Sequence, residues 1–202
     1  MNLNKKVKTY KTDRKAALFL ADGCEEIEAL SVADLLYRAG IPCTLVSVMG
    51  DRLEITSSHE IRIVTSITLE NLNVEEYDML VLPGGIPGTP NLAACPKLME
   101  AVTSFAGRAN EGKAVAAICA APSILANLGL LDGKNATCNP CADDFLKEHG
   151  ALHTQNPVEV SGNLITSRSM GTAIDFGLAI VEYFLGKDAA DKLSANILHT
   201  RS

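Results

Sequence analysis

The stretch KAALFLADGCEEIEALSVADLLYRAGIPCTLVSV, residues 15–48, reads as a strand, a helix and a second strand in succession. It opens on an apolar run, Lys15-Ala-Ala-Leu-Phe-Leu20, and breaks at Ala21-Asp-Gly23, as a strand covered on both faces does when it enters a loop. Over residues 25–39 the apolar side chains of Ile27, Leu30, Leu35 and Leu36 return near helical spacing, and Gly40 supplies a stop. Ile41-Pro-Cys-Thr-Leu-Val-Ser-Val48 then forms the next strand. A strand, a crossover helix and a strand build a parallel sheet with helices packed on its faces.

The same rhythm runs through the rest of the chain. Residues 55–65 carry β-branched side chains in loose alternation and predict a pair of short strands or a hairpin. Tyr77-Asp-Met-Leu-Val-Leu82 is a buried strand broken by Pro83-Gly-Gly85, and a helix follows within residues 92–110, starting near Pro96. Residues 113–118 form an apolar strand running straight into Cys119, with a helix over 120–128. A short strand at 135–138, a helix near 142–149, two strands around the Ser161-Gly-Asn163 turn, and helices over 172–185 and 189–198 complete the reading. The fold class is α/β, a doubly wound layer sandwich. Residues 15–202 are expected to form one domain, and residues 1–14, with Lys5, Lys6, Lys8, Lys11 and Arg14, a flexible basic extension.

Composition sets the function classes. The chain of 202 residues is 47% hydrophobic, enough for a sizeable core without covalent staples. A net charge of −6 argues against general nucleic-acid binding, which needs a basic face. No apolar run approaches the roughly 18 residues of a membrane span, and the basic lead-in is not followed by the apolar run of a secretory signal. The expectation is a soluble cytoplasmic protein with no membrane or nucleic-acid partner. Six cysteines, Cys24, Cys43, Cys95, Cys119, Cys138 and Cys141, are then expected as reduced thiols.

Ligands of open parallel sheets bind beyond the carboxyl ends of the strands. Three loops with unusual residues leave apolar strands here: Asp22-Gly-Cys-Glu-Glu-Ile-Glu28, Pro83-Gly-Gly-Ile-Pro-Gly88 and Cys119-Ala-Ala-Pro122. A cysteine between strand and helix meets the unpaired amides of the helix end, which favour its thiolate; without that geometry it is a small apolar core residue. Glu25 and Glu28, three apart on one helix face, are both candidates to turn toward it, while Glu26 points elsewhere.

Gly23-Cys-Glu-Glu-Ile-Glu-Ala29, Val81-Leu-Pro-Gly-Gly85, Ala116-Ala-Ile-Cys-Ala-Ala-Pro122 and Leu164-Ile-Thr-Ser-Arg168 with Gly171-Thr172 together resemble the DJ-1 branch of the DJ-1/ThiJ/PfpI superfamily. The chain looks closest to bacterial members carrying Ala-Ala-Pro after the cysteine. The resemblance implies a flavodoxin-like three-layer sandwich with a mostly parallel central sheet, usually a homodimer. It implies that Cys119 is the nucleophilic, oxidisable thiol, that Glu28 is the carboxyl touching it, and that the amides of Gly85 and Ala120 hold the developing oxyanion. His59 falls where relatives place an arginine approaching the partner's site, so it is flagged as a dimer contact. Two departures stand out. Asn139 occupies the position of a family histidine, and Ala120 follows the cysteine where the peptidase branch has its histidine. His149 and His153 lie outside the motif and are expected on the surface.

Cys138-Asn-Pro-Cys141 is a Cys-x-x-Cys pair that could resolve an oxidised Cys119 as a disulfide; a zinc ion would want two more ligands. No metal and no cofactor are expected. The resemblance points to an enzyme acting on a small aldehyde or a glycated adduct, as a glutathione-independent glyoxalase or deglycase. The alternative is a redox-sensing, chaperone-like stress protein working through oxidation of Cys119. A cysteine peptidase or amidase is disfavoured for want of a histidine base.

Overall fold

The computed structural model describes residues 11–200. Eleven strands and seven α-helices alternate among these residues: β1 (Ala16–Leu20), α1 (Glu26–Ala39), β2 (Cys43–Ser47), β3 (Glu54–Thr56), β4 (Arg62–Val64), β5 (Ile67–Thr68), β6 (Met79–Leu82), α2 (Gly88–Ala93), α3 (Pro96–Gly107), β7 (Ala114–Ile118), α4 (Pro122–Asn127), β8 (Asn135–Ala136), α5 (Asp143–Glu148), β9 (Leu152–His153), β10 (Val158–Ser161), β11 (Leu164–Ser167), α6 (Ala173–Leu185) and α7 (Lys187–Asn196). The central sheet runs β10-β11-β7-β6-β1-β2-β5. All its pairings are parallel except the β10–β11 edge hairpin. β3 and β4 form the predicted antiparallel hairpin apart from that sheet.

β1 shows why the chain folds into three layers. All five of its residues are fully buried. Ala16, Leu18 and Leu20 join the core under α1, α6 and α7, while Ala17 and Phe19 join the core on the opposite side with Leu98, Val102 and Phe105 of α3. A two-residue period on a strand covered twice gives a continuous apolar run, as the sequence has. Each fully buried large side chain here is worth about 1.5–3 kcal/mol of transfer free energy. α1 and α6 approach closely at Gly177, where a Cβ would stand 2.4 Å from Leu35 Cδ1.

α1 is closed at both ends by its own sequence. The Glu25 side chain accepts from the Glu28 amide at 2.6 Å, and Gly40, at φ +77°, returns its N–H to the carbonyls of Leu36 and Tyr37.

Two differences from the sequence reading have local causes. A short helix, α2, fills what reads as loop around Pro87-Gly88; Pro90 is tolerated in its first turn, where its missing N–H would have had no helical partner. The strand predicted at 135–138 keeps only two residues and pairs in parallel with β9, outside the main sheet, because the chain turns at Asn139-Pro140 into α5. Ahead of β1, the Lys11 amide donates to Gly40 O at 2.9 Å and the Arg14 guanidinium lies over the Phe184 ring at 4.7 Å. The remainder of the basic segment lies outside the described residues.

Candidate functional site

β7, β6 and β1 are neighbours in the sheet, so the loops leaving their carboxyl ends meet at one place. Cys119 is the first residue after β7 and sits at φ +66°, a left-handed conformation uncommon for a residue with a Cβ. Two backbone hydrogen bonds hold it there. Its N–H donates to Ser167 O at 3.0 Å, and its carbonyl accepts from the Asn139 amide at 2.8 Å. A strained residue fixed by its surroundings at a strand-to-helix turn is the geometry of a nucleophile elbow. The residue is half-buried.

The structure decides between the two glutamates. Glu25 is spent on capping α1, whereas Glu28, one position further into the helix, is 1% exposed and accepts from the Gly84 amide through Oε2 at 2.9 Å. Gly84 packs between carboxyl and thiol: a Cβ there would stand 2.6 Å from Cys119 Cβ, 2.8 Å from Glu28 Oε2 and 3.1 Å from Cys119 Sγ. Only glycine lets the β6 loop lie against both groups. The sequence reading named Gly85 and passed over Gly84; the Gly-Gly doublet after β6 was the available signal.

Burial pushes the Glu28 carboxyl up to about 7, with the nearby Glu25 charge adding to the rise; the Cys119 thiol and the amides of Gly84 and Met170 face it and work against the rise. Glu28 Oε1 itself has no partner at full hydrogen-bond geometry. Burial also pushes the Cys119 thiol up to about 12, helped by the charge and hydrogen bond of Glu28, while the Ala120 amide and the Ser169 hydroxyl oppose it. The Ala120 amide favours the thiolate, as expected of a helix end, but does not by itself ionise the thiol. α4 is only six residues long, and burial beside a carboxyl outweighs its amides. Thiol and carboxyl instead compete for protons in one desolvated space.

Ala120 N–H faces the Cys119 sulfur. Gly85, at φ +96° and half-buried, has an amide with no acceptor among the described residues. Asn139 brings no titratable group. Its amide supports Cys119 O, its Oδ1 accepts from Cys141 N at 3.0 Å, and its Nδ2 donates to Ser169 Oγ at 3.3 Å. Ser169 is the second residue missed by sequence reasoning, although it directly follows the Leu164-Ile-Thr-Ser-Arg168 motif.

His59, on the β3–β4 turn, pairs with Glu26 at 2.9 Å, which raises the pKa of the exposed imidazole. Cys138 is buried and donates through Sγ to Asp143 Oδ1 at 3.5 Å, while Cys141 is exposed; neither is in a disulfide. His149 stacks on Phe145 at the end of α5. The surface placement expected of His153 is corrected: its side chain is 6% exposed and its Nε2 lies 2.9 Å from Asp143 Oδ1, because β9 folds back under α5. A cavity of about 540 Å³ between β10 and α6, lined by Val158, Asp175, Ala179 and Tyr183 among others, does not include Cys119.

A family model described as the DJ-1/PfpI family matches residues 14–183. Protein DJ-1 homolog A of Arabidopsis thaliana is 38% identical over 175 residues, 86% of this chain and 43% of that protein, so the chain spans less than half the length of this relative. Protein dj-1beta of Drosophila melanogaster is 33% identical over 92% of this chain and 97% of its own length. A Caenorhabditis elegans relative named glutathione-independent glyoxalase DJR-1.2 is 32% identical, over 89% of this chain and 94% of that protein. Among solved structures, oxidized Toxoplasma gondii DJ-1 superposes with a TM-score of 0.85 at 30% identity, covering 93% of this chain and 99% of its own. Drosophila melanogaster DJ-1beta superposes with a TM-score of 0.86 at 32% identity, covering 94% and 100%. The flavodoxin-like sandwich is thus the architecture of these neighbours as well. No helix of the described residues is long and apolar enough to cross a membrane.

Proposed function

Because the chain belongs to the DJ-1/PfpI family, we propose that it is a cofactor-independent enzyme acting on small reactive carbonyls, of glyoxalase or deglycase type, with Cys119 as nucleophile and Glu28 as proton carrier. The observation that carries this reading is the buried Glu28 carboxyl, pushed up to about 7 and packed against Cys119 across Gly84. A group titrating near neutrality exchanges protons in both directions at working pH.

With methylglyoxal, Cys119 passes its proton to the Glu28 carboxylate as the sulfur adds to the aldehyde carbon. The new oxyanion accepts from the Gly85 and Ala120 amides and is then protonated by Glu28, giving a hemithioacetal. The Glu28 carboxylate next removes the proton on the former aldehyde carbon and returns it to the adjacent carbon, while the hydroxyl proton passes from the former aldehyde oxygen to the former ketone oxygen, which leaves a thioester of lactate. Water hydrolyses the thioester to lactate and restores the thiol. Asn139 contributes no acid or base, so Glu28 carries every proton transfer among the side chains named here. Lactate formation from methylglyoxal should exceed that of Cys119→Ser by about 100-fold or more. Equal rates in the two proteins would end this reading.

A second reading rests on the same carboxyl. A protonated Glu28 beside an oxidised sulfur donates to a sulfinate oxygen and holds the cysteine at that stage, as a redox-responsive, chaperone-like stress protein would require. Intact mass after mild peroxide should then rise by two oxygens in the native protein and not in Cys119→Ser. The proposal extends to a cytoplasmic homodimer. Exposed Ile27 and Leu30 of α1, with Ile61 and Val64 of the β3–β4 hairpin, support an apolar contact with a second copy near His59.

A further inference from the structure

The Cys138-x-x-Cys141 motif lacked, as sequence, the two further ligands a zinc ion would need. The fold brings two, Asp143 and His153, to Cys138, with Cys141 outside the cluster. Cys138 follows β8, Asp143 opens α5 and His153 ends β9, and the three meet where β8 and β9 pair. Their ligand atoms all lie within 4.8 Å of one another. Cys138 Sγ is 3.5 Å and His153 Nε2 is 2.9 Å from the same oxygen, Asp143 Oδ1. In a tetrahedral site with metal–sulfur and metal–nitrogen bonds of about 2.3 and 2.0 Å, neighbouring ligand atoms stand about 3.2–3.6 Å apart, so only small side-chain rotations separate this cluster from coordination.

The His153 contact is informative in itself. Nε2 is shielded from solvent and, despite its closeness to Asp143, has no partner at hydrogen-bond geometry. A buried ring nitrogen left this way calls for another partner. Cys138 is wholly buried and the Asp143 side chain is 20% exposed, which leaves an approach from solvent on the carboxylate side.

We propose that Cys138, Asp143 and His153 form a site for a divalent cation of the zinc class, with a fourth position open to water and Cys141 beside it. The thiolate and the carboxylate balance the charge of a divalent ion while the imidazole binds as its neutral form. Binding breaks the Cys138 S–H bond, the proton leaves to solvent, and the sulfur donates its electron pair to the metal; nothing is oxidised or reduced. Thiolate, imidazole and carboxylate together select zinc and cobalt over magnesium and calcium, which prefer all-oxygen shells. The site is separate from the carbonyl chemistry at Cys119 and does not depend on it.

Cobalt(II) reports such a site directly. Chelator-treated Cys119→Ser protein titrated with cobalt should show one ion per chain, a thiolate-to-cobalt charge-transfer band, the strong visible bands of tetrahedral cobalt, and loss of both on adding one equivalent of zinc. Cys138→Ala should abolish the charge-transfer band. Asp143→Asn and His153→Gln should weaken affinity by about tenfold or more. Circular dichroism establishes that each variant is folded. If Cys138→Ala fails to fold, Asp143→Asn decides, since its carboxylate lies toward the surface. No stoichiometric binding at micromolar cobalt, a band that survives Cys138→Ala, or unchanged affinity in Asp143→Asn would overturn the proposal.

Discussion

Replacing Glu28 by glutamine removes a buried ionisable group while keeping its shape and an oxygen able to accept from the Gly84 amide. The native carboxyl holds its proton to about 7 in the folded protein, against an ordinary value of 4.5 in the unfolded chain. Between those values the folded state binds more protons than the unfolded state, so native stability falls as pH rises through this window and stays lowered above it. At about 1.36 kcal/mol per pH unit, the full span is worth up to about 3 kcal/mol. Glu28→Gln does not titrate and escapes that loss. The variant should therefore be close to the native protein in stability at pH 5 and more stable by about 2–3 kcal/mol at pH 8. Urea denaturation of both proteins at half-unit steps from pH 5 to pH 8.5 measures the difference. A stability difference that stays constant across the range would refute the assignment of Glu28 as a desolvated carboxyl.

Gly84→Ala should cost about 1–3 kcal/mol in urea melts and lower carbonyl turnover, because the added methyl meets the Cys119 and Glu28 side chains together. Ser169→Ala removes a hydroxyl that favours the thiolate, so Cys119 should alkylate several-fold more slowly at pH 8, as read by peptide mass. The Asn163 amide donates to the carbonyls of Phe105, Ala106 and Lys113 at 3.0–3.1 Å, tying the end of α3 to the start of β7. Asn163→Ala leaves those acceptors buried without it and should cost about 2–3 kcal/mol in the same melts.

The strand–helix alternation was legible because buried parallel strands and amphipathic helices write different periods into the chain, and residues 15–48 carry both. The site was legible in part. Helical spacing leaves Glu25 and Glu28 equivalent; the resemblance implies Glu28, and the start of α1 gives the physical reason, since the residue at the cap position is taken up by the helix's own amides. Gly84 escaped notice because its role is to be small next to groups 35 and 56 residues away. The elbow alone does not set the protonation of Cys119, because desolvation depends on what the fold packs over the sulfur. His153 could not have been placed by pattern: β9 is two residues long, and its meeting with Asp143 follows from tertiary pairing with β8.

The coupling of Cys119 to Glu28 is the central claim, and the pH dependence of iodoacetamide alkylation at Cys119 tests it most directly. Peptide-resolved mass spectrometry separates Cys119 from the exposed Cys141. Glu28 raises the thiol through its charge and its hydrogen bond, so Glu28→Gln should shift the alkylation profile to lower pH by about one unit or more. Superimposable profiles for the native protein and Glu28→Gln would contradict the account.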